Sequence, residues 1–165
     1  MDDPLAEPLL RELADEYRTR YPEHRDVGRS ELERYPATEF APPNGALLLL
    51  LERGEPVAGG AFRRYREDEP QTAELKRIWT HSRHRRRGLA RRIVSALEQE
   101  ALARGYRDVY LTTGPRQPEA RALYLATGYT PLFDLHADPE SIGPLPFRKS
   151  LEAAAIAEEG RSDAR

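Results

Sequence analysis

Cysteine is absent from the 165-residue chain, and methionine and tryptophan each occur once. The missing cysteine excludes disulfides, thiolate nucleophiles and cysteine-ligated metals, and it is compatible with a reducing cytoplasm. An excess of charge is also lacking: 26 Lys and Arg face 28 Asp and Glu, so net charge gives no general attraction to nucleic acid or an anionic membrane. Long apolar runs are missing too. The longest aliphatic stretch, Ala46 to Leu51, is too short to cross a bilayer, and the start, Met1-Asp2-Asp3-Pro4, is acidic where a secretory leader would be basic. A cytoplasmic protein of one domain is expected, since the length suits a single core and no internal repeat suggests a second.

Apolar residues recur at helical spacing in Leu5, Leu9, Leu10, Leu13 and Tyr17, predicting a helix from about Pro4 to Arg20 that ends before Tyr21-Pro22. After the break at 41–45, the run Ala46–Leu51 has strand length, and Glu52-Arg53-Gly54-Glu55 turns it into a second strand over about Pro56–Tyr65. Thr72–Thr80 reads as a strand. Leu89, Ile93, Leu97 and Ala101 form one stripe of a helix ending near Gly105. Tyr106–Thr113 reads as a strand, Pro118–Ala126 as a helix, and Gly128 opens a short return toward Phe133. A hairpin followed by this alternation predicts an α/β fold of the α+β type, with a mixed, mostly antiparallel central sheet flanked by helices. The domain is expected to span residues 1–151, and 152–165 to be a polar tail, either a frayed helix or disordered chain.

The most informative stretch is Arg85-Arg86-Arg87-Gly88-Leu89-Ala90-Arg91, between a strand and a strongly amphipathic helix. The first N–H groups of a helix lack intrahelical partners and carry the positive end of its dipole, so a pyrophosphate can be held there if no side chain blocks it. Gly88 and Ala90 leave that approach open, and the arginines add charge-assisted donors. A solvated basic surface is the competing reading. Arginines at a helix start cost up to about 1 kcal/mol without a compensating anion, which favours a phosphate site. A nucleic-acid backbone would satisfy the same donors.

With Arg85, Gly88 and Ala90 at its fixed positions, the turn resembles the Arg/Gln-x-x-Gly-x-Gly/Ala signature of the GNAT N-acetyltransferase superfamily. The similarity extends to Ala73–Thr80 before the turn, to Leu111-Thr112-Thr113-Gly114 with Gln117-Pro118-Glu119-Ala120, and to Ala120–Tyr129, which resembles Ala-x-x-Leu-Tyr-x-x-x-Gly-Phe/Tyr. It covers the cofactor half, residues 72–133, and is weak or absent in residues 1–45 and the tail. The family implies acetyl-CoA as co-substrate and no metal. It further implies pantetheine along Ile78, Trp79 and Thr80, pairing with backbone groups of Ile78 and Thr80, and pyrophosphate on Arg85, Arg86, Arg87, Gly88, Leu89, Ala90 and Arg91. Three positions depart from the common pattern: Arg86 stands where glycine is common, Ser82 where proline is, and Gln117 where asparagine often contacts the cofactor.

Acetyl transfer to an amine requires a neutral nucleophile, a polarised thioester carbonyl and a proton for the departing thiolate. The resemblance implies Tyr124 as the general acid at the sulfur, where the alternative is a core aromatic. It implies Glu74 as the base or ammonium-binding carboxylate, where the alternative is a strand residue paired with Lys76 or Arg77. A bulge near Lys76–Arg77 would bring Leu75 and Ile78 to one face and release a backbone donor for the oxyanion. His81 and His84 read as surface histidines, and Arg116, Gln117 and Arg121 either as a polar rim beside the cofactor or as a helix start with solvated side chains. Residues 21–45 and 134–147 are expected to supply the acceptor pocket. Their acids, Glu23, Asp26, Glu31, Glu33, Asp134, Asp138 and Glu140, suit a cationic acceptor, the alternative being ordinary solvated surface. The expected activity is N-acetylation of a small-molecule or protein amine by direct attack, without nucleic-acid or membrane partners and compatible with a homodimer. The alternatives are an acyl-CoA-binding sensor without catalysis and an RNA-binding module.

Overall fold

A computed structural model of the chain describes residues 3–23 and 35–151. The expected N-terminal helix begins as a 3-10 turn, Pro4–Ala6, capped by the Asp3 carboxylate, which accepts the Leu5 N–H at 2.9 Å. It continues as α1, Glu7–Arg20, and stops where Pro22 disfavours helical backbone in the residue before it. Strands β1 (Ala46–Glu52) and β2 (Glu55–Arg66) form the expected hairpin, closed by the pair Glu52–Glu55. Next come β3 (Glu69–Thr80), α2 (Leu89–Ala103), β4 (Asp108–Thr113), α3 (Pro118–Ala126), β5 (Thr130–Pro131), α4 (Pro139–Ile142) and β6 (Leu145–Ser150). The six strands form a mixed sheet in the order β1-β2-β3-β4-β6-β5, with β1–β2, β4–β6 and β5–β6 antiparallel and β3–β4 parallel.

Several boundaries differ from expectation. Strand β4 begins at Asp108 rather than Tyr106, because the Tyr106 N–H still bonds back to Ala101 at 3.1 Å as the helix ends. The stretch 134–147, expected to supply part of the acceptor pocket, contains α4 and the start of β6, and Leu145 and Phe147 there are core residues. Of the other expected acceptor segment, 24–34 lies outside the described residues, as does the tail from 152.

The chain divides into two compact units, Met1–Arg63 with Leu75–Leu97, and Arg64–Glu74 with Glu98–Arg165. In the first, Leu9 and Leu13 of α1 pack on Trp79 of β3. Neighbouring glycines in β2 allow helices close to both faces of the strand. A Cβ on Gly59 would lie 2.6 Å from Leu9, and one on Gly60 would lie 2.9 Å from Leu97 and 3.0 Å from Ile93 of α2. In the second unit, Val109, Leu111, Leu145, Phe147, Tyr124 and Tyr129 are buried.

A half-dry polar network braces this second core. Glu98 accepts from Lys149 Nζ at 2.8 Å and from the Tyr129 hydroxyl at 2.8 Å, and the Glu98 and Lys149 side chains are each 14% exposed. Burial, reinforced by the Glu98 carboxylate, pushes the Tyr129 phenol well above its ordinary range. Removing one member strands the other two, so Glu98→Ala should cost about 3–5 kcal/mol in urea unfolding, with Glu98→Gln losing less. A loss below about 1 kcal/mol for Glu98→Ala would mean that solvent replaces the network without penalty.

Candidate active site

The basic turn lies in the first unit. Its Gly88 has φ +72°, a left-handed value that L residues rarely adopt, and a Cβ there would meet nothing within 4 Å. The Gly88 carbonyl accepts the first helical bond, from Arg92 N–H at 3.2 Å, so the N–H groups of Leu89 and Ala90 come ahead of the first intrahelical donor. The Leu89 side chain turns inward and is 5% exposed. Arg86 also has positive φ, +60°, in keeping with a position where glycine is common in similar sequences. An open glycine at a helix start, flanked by arginines, fits a pyrophosphate.

Carboxylates of the same unit hold the arginines. Arg87 makes a two-point contact with Glu52 at 2.7 and 3.1 Å, and Arg85 lies 3.5 Å from Glu16. The hydrogen bond from Arg87 holds the Glu52 carboxyl below its ordinary range against an opposing effect of desolvation. Both members of the Arg87–Glu52 pair are nearly half exposed, so it is weak and salt-screened, and an arriving phosphate can share the guanidinium. The histidines expected at the surface are instead partly buried. His81 lies 3.6 Å from Glu12, and His84 lies 3.6 Å from Glu52 and 2.6 Å from Arg87. Among the described residues no group of three or more side chains could hold a metal ion.

The strand end next to this turn carries Ile78, Trp79 and Thr80. Trp79 is 3% exposed and its indole is committed to the core. The Thr80 hydroxyl is buried without a hydrogen-bond partner among the described residues, a polar group that an amide-bearing ligand could satisfy. Where a bulge is expected near Lys76–Arg77, Arg77 departs from strand backbone within β3, with φ +59°.

Glu74 and Tyr124 both lie in the second unit. Strand β3 pairs in parallel with β4 through Thr72–Asp108, Ala73–Val109 and Glu74–Tyr110, and β4 pairs with β6 through Tyr110–Arg148 and Leu111–Phe147. Paired residues share a face and successive residues alternate, so Glu74, Tyr110 and Arg148 lie on one face while Leu111 and Phe147 lie on the other. The Tyr124 ring packs on Phe147 at 5.7 Å and on Tyr129 at 5.5 Å, which places it on the face opposite Glu74. The Glu74 carboxylate is 4% exposed, unlike the surface residue of the competing reading. Tyr124, 6% exposed, is both a core aromatic and a candidate acid.

The Glu74 face also holds an aromatic pair that the sequence reading missed, Tyr65 stacked on Tyr110 with ring centroids 4.2 Å apart. Burial, then a hydrogen bond with Tyr65 and the nearby Glu74 charge, raise the Tyr110 phenol to about 12. A raised phenol pKa contributes stability that is fully present below its unfolded value near 10 and is lost as pH rises through the folded value. Stability should therefore fall between about pH 10 and 12. Tyr110→Phe should flatten that fall, as followed by phenolate absorbance and thermal unfolding, and an unchanged slope would count against the shift.

The expected polar rim is tied up locally. Gln117 Oε1 accepts from Thr113 Oγ1 at 2.8 Å and from Gly114 N–H at 3.2 Å, leaving its amide nitrogen as the available donor toward a ligand. Arg116 pairs with Glu140 at 3.0 Å, and Arg121 donates to the Leu135 carbonyl at 2.9 Å.

Residues 9–129 match the model of the acetyltransferase (GNAT) family, and the chain belongs to that family. Among curated proteins none matches this sequence. Solved structures share the fold. A Klebsiella pneumoniae subsp. pneumoniae protein assigned as an acyl-CoA N-acyltransferase is 24% identical, with TM-score 0.65, over 91% of this chain and 92% of its own. The PaiA N-acetyltransferase of Thermoplasma acidophilum, solved with coenzyme A, is 10% identical, with TM-score 0.64, over 87% and 91%. The Salmonella typhimurium protein yncA, assigned as an acetyltransferase and solved with its cofactor acetyl-CoA, is 18% identical, with TM-score 0.57, over 75% and 73%. No helix among the described residues is long and apolar enough to cross a membrane.

Proposed function

We propose that the chain transfers acetyl from acetyl-CoA to a primary amine of a small molecule or protein by direct attack, in the cytoplasm. The observation that carries this reading is the open, arginine-flanked Gly88 turn at a helix start in a GNAT chain. Amide formation from an amine and a thioester needs a base and an acid that act on different protons. Glu74 takes the proton that the attacking amine must lose, and Tyr124 gives one to the sulfur as the C–N bond forms and the C–S bond breaks. The products are an amide and free CoA, and solvent restores both side chains. The Gly88 turn and its arginines hold the pyrophosphate, and Ile78 and Thr80 hold the pantetheine arm. Acetyl-CoA as co-substrate is supported by the family match and by the CoA and acetyl-CoA bound to the two fold relatives.

The test is CoA release from acetyl-CoA across a broad panel of amines, with Glu74→Gln alongside. An active amine should lose most of its turnover in Glu74→Gln near neutral pH and recover part of it at higher pH, where the free amine no longer needs a base. CoA binding without acetylation of any amine would instead favour the sensor reading. Salt-sensitive RNA binding that CoA leaves intact would favour the nucleic-acid reading.

A further inference from the structure

Resting on the acetyltransferase reading above, we infer that Glu12 is a positioning residue that sets the backbone of the acetyl-CoA strand end. Donors from the close of β3 converge on this one carboxylate of α1. Its Oε2 accepts from the Trp79 indole N–H at 2.9 Å and from the Ser82 N–H at 3.1 Å. Its Oε1 accepts from the Ser82 hydroxyl at 3.1 Å and lies 3.6 Å from His81 Nε2. These partners flank Thr80 and lead directly into the 3-10 turn Ser82–His84 that precedes the phosphate turn.

The rest of this connection is tied locally and, through His84, to Glu52 at 3.6 Å. His81 N–H bonds the Val57 carbonyl at 2.9 Å, His84 N–H bonds back to His81 at 2.8 Å, and His81 Nδ1 accepts from Arg83 N–H at 3.2 Å. One helical turn beyond Glu12, Glu16 reaches Arg85. The acidic stripe of α1 therefore holds the start of the segment 79–85 and reaches its end only through a looser, half-exposed ion pair. Docking of α1 does not itself need the carboxylate, because Leu9 and Leu13 pack on the Trp79 ring. The carboxylate instead sets direction. Hydrogen bonds to a charged acceptor are strong and geometrically strict, and they hold Ser82 and the indole at one distance from the helix. Releasing them lets the backbone on either side of Thr80 drift, and positional errors of this kind weaken ligand contacts before they unfold a protein.

Trp79 is the sole tryptophan, so its emission reports directly on this contact. The experiment titrates CoA against Trp79 emission in the full chain and measures steady-state kinetics with a reactive amine. In Glu12→Gln the Kd for CoA and the KM for acetyl-CoA should rise about tenfold, with kcat and the amine KM within about twofold of wild type. Ser82→Ala, which removes one donor, should raise the KM for acetyl-CoA about threefold. Glu7→Gln, an exposed change on the same helix, should alter nothing. Unchanged CoA binding in Glu12→Gln overturns the inference. Proportional losses in kcat, both KM values and melting temperature also overturn it, since they would mark a merely structural residue. If Glu12→Gln fails to fold, Ser82→Ala decides, and an unchanged KM for acetyl-CoA there overturns it. A wild-type chain that binds no CoA removes the acetyltransferase reading and this inference together, whereas equal binding by wild type and Glu12→Gln removes this inference alone.

Discussion

Tyr124→Phe should lower the turnover number by on the order of 10²–10⁴-fold at saturating acetyl-CoA while leaving the affinity for CoA almost unchanged. The ring contacts with Tyr129 and Phe147 use only the aromatic body, which phenylalanine retains. The hydroxyl is the only group removed, so a large effect on turnover is an effect on proton transfer to the departing thiolate. Tyr124→Ala is the contrasting change, because it empties a site that is 6% exposed and should cost about 3–5 kcal/mol of stability. If the residue were only a core aromatic, alanine would damage the protein and phenylalanine would be nearly silent. The comparison requires an amine already shown to react and a chemical step shown to limit the rate. Phe turnover within about twofold of wild type under those conditions would remove Tyr124 from the catalytic set.

What could be read in advance depended on how local the signal was. Helix α2 and the phosphate turn stood out because a 3.6-residue stripe, a glycine and a run of arginines all lie within 20 residues of one another. Helix α3 was equally plain, with proline at its first position and thereby a fixed start. Strand β6 was missed because it is short and Pro146 interrupts its alternation. It is held in the sheet from both sides, by β4 and by β5. Arg86 could be flagged only as a departure from a pattern, and its positive φ supplies the physical reason glycine is common there. The carboxylates Glu12, Glu16 and Glu52 gave no signal at all. They meet the cofactor strand and turn from 35 to 70 residues away in sequence, and an acidic residue on an amphipathic helix or at a hairpin end looks like ordinary solvated surface. The placement of Glu74 and Tyr124 on opposite faces likewise requires the register of three strands, which no local pattern contains.

Gly88→Glu should weaken CoA binding by on the order of a thousandfold, the size expected when a unit negative charge is placed about 4 Å from one phosphate charge at an effective dielectric near 20. The new side chain has room, since a Cβ at Gly88 meets nothing within 4 Å, so the substitution should not disrupt packing. It does strain the backbone, because φ is +72°, and strain alone could lower stability by about 1–3 kcal/mol. Gly105→Glu separates the two effects. Gly105 also has positive φ, +88°, and equally open surroundings, but it follows the end of α2 rather than preceding its start. Both variants should lose comparable thermal stability in the absence of ligand, and only Gly88→Glu should lose the additional stabilisation that CoA gives the wild type. The charge part of the loss should shrink as salt is raised, while the part due to the blocked approach to the Leu89 and Ala90 N–H groups should remain. A folded Gly88→Glu chain with wild-type affinity for CoA would show that the pyrophosphate lies elsewhere, and the arginines around Gly88 would then be a solvated surface held by Glu16 and Glu52.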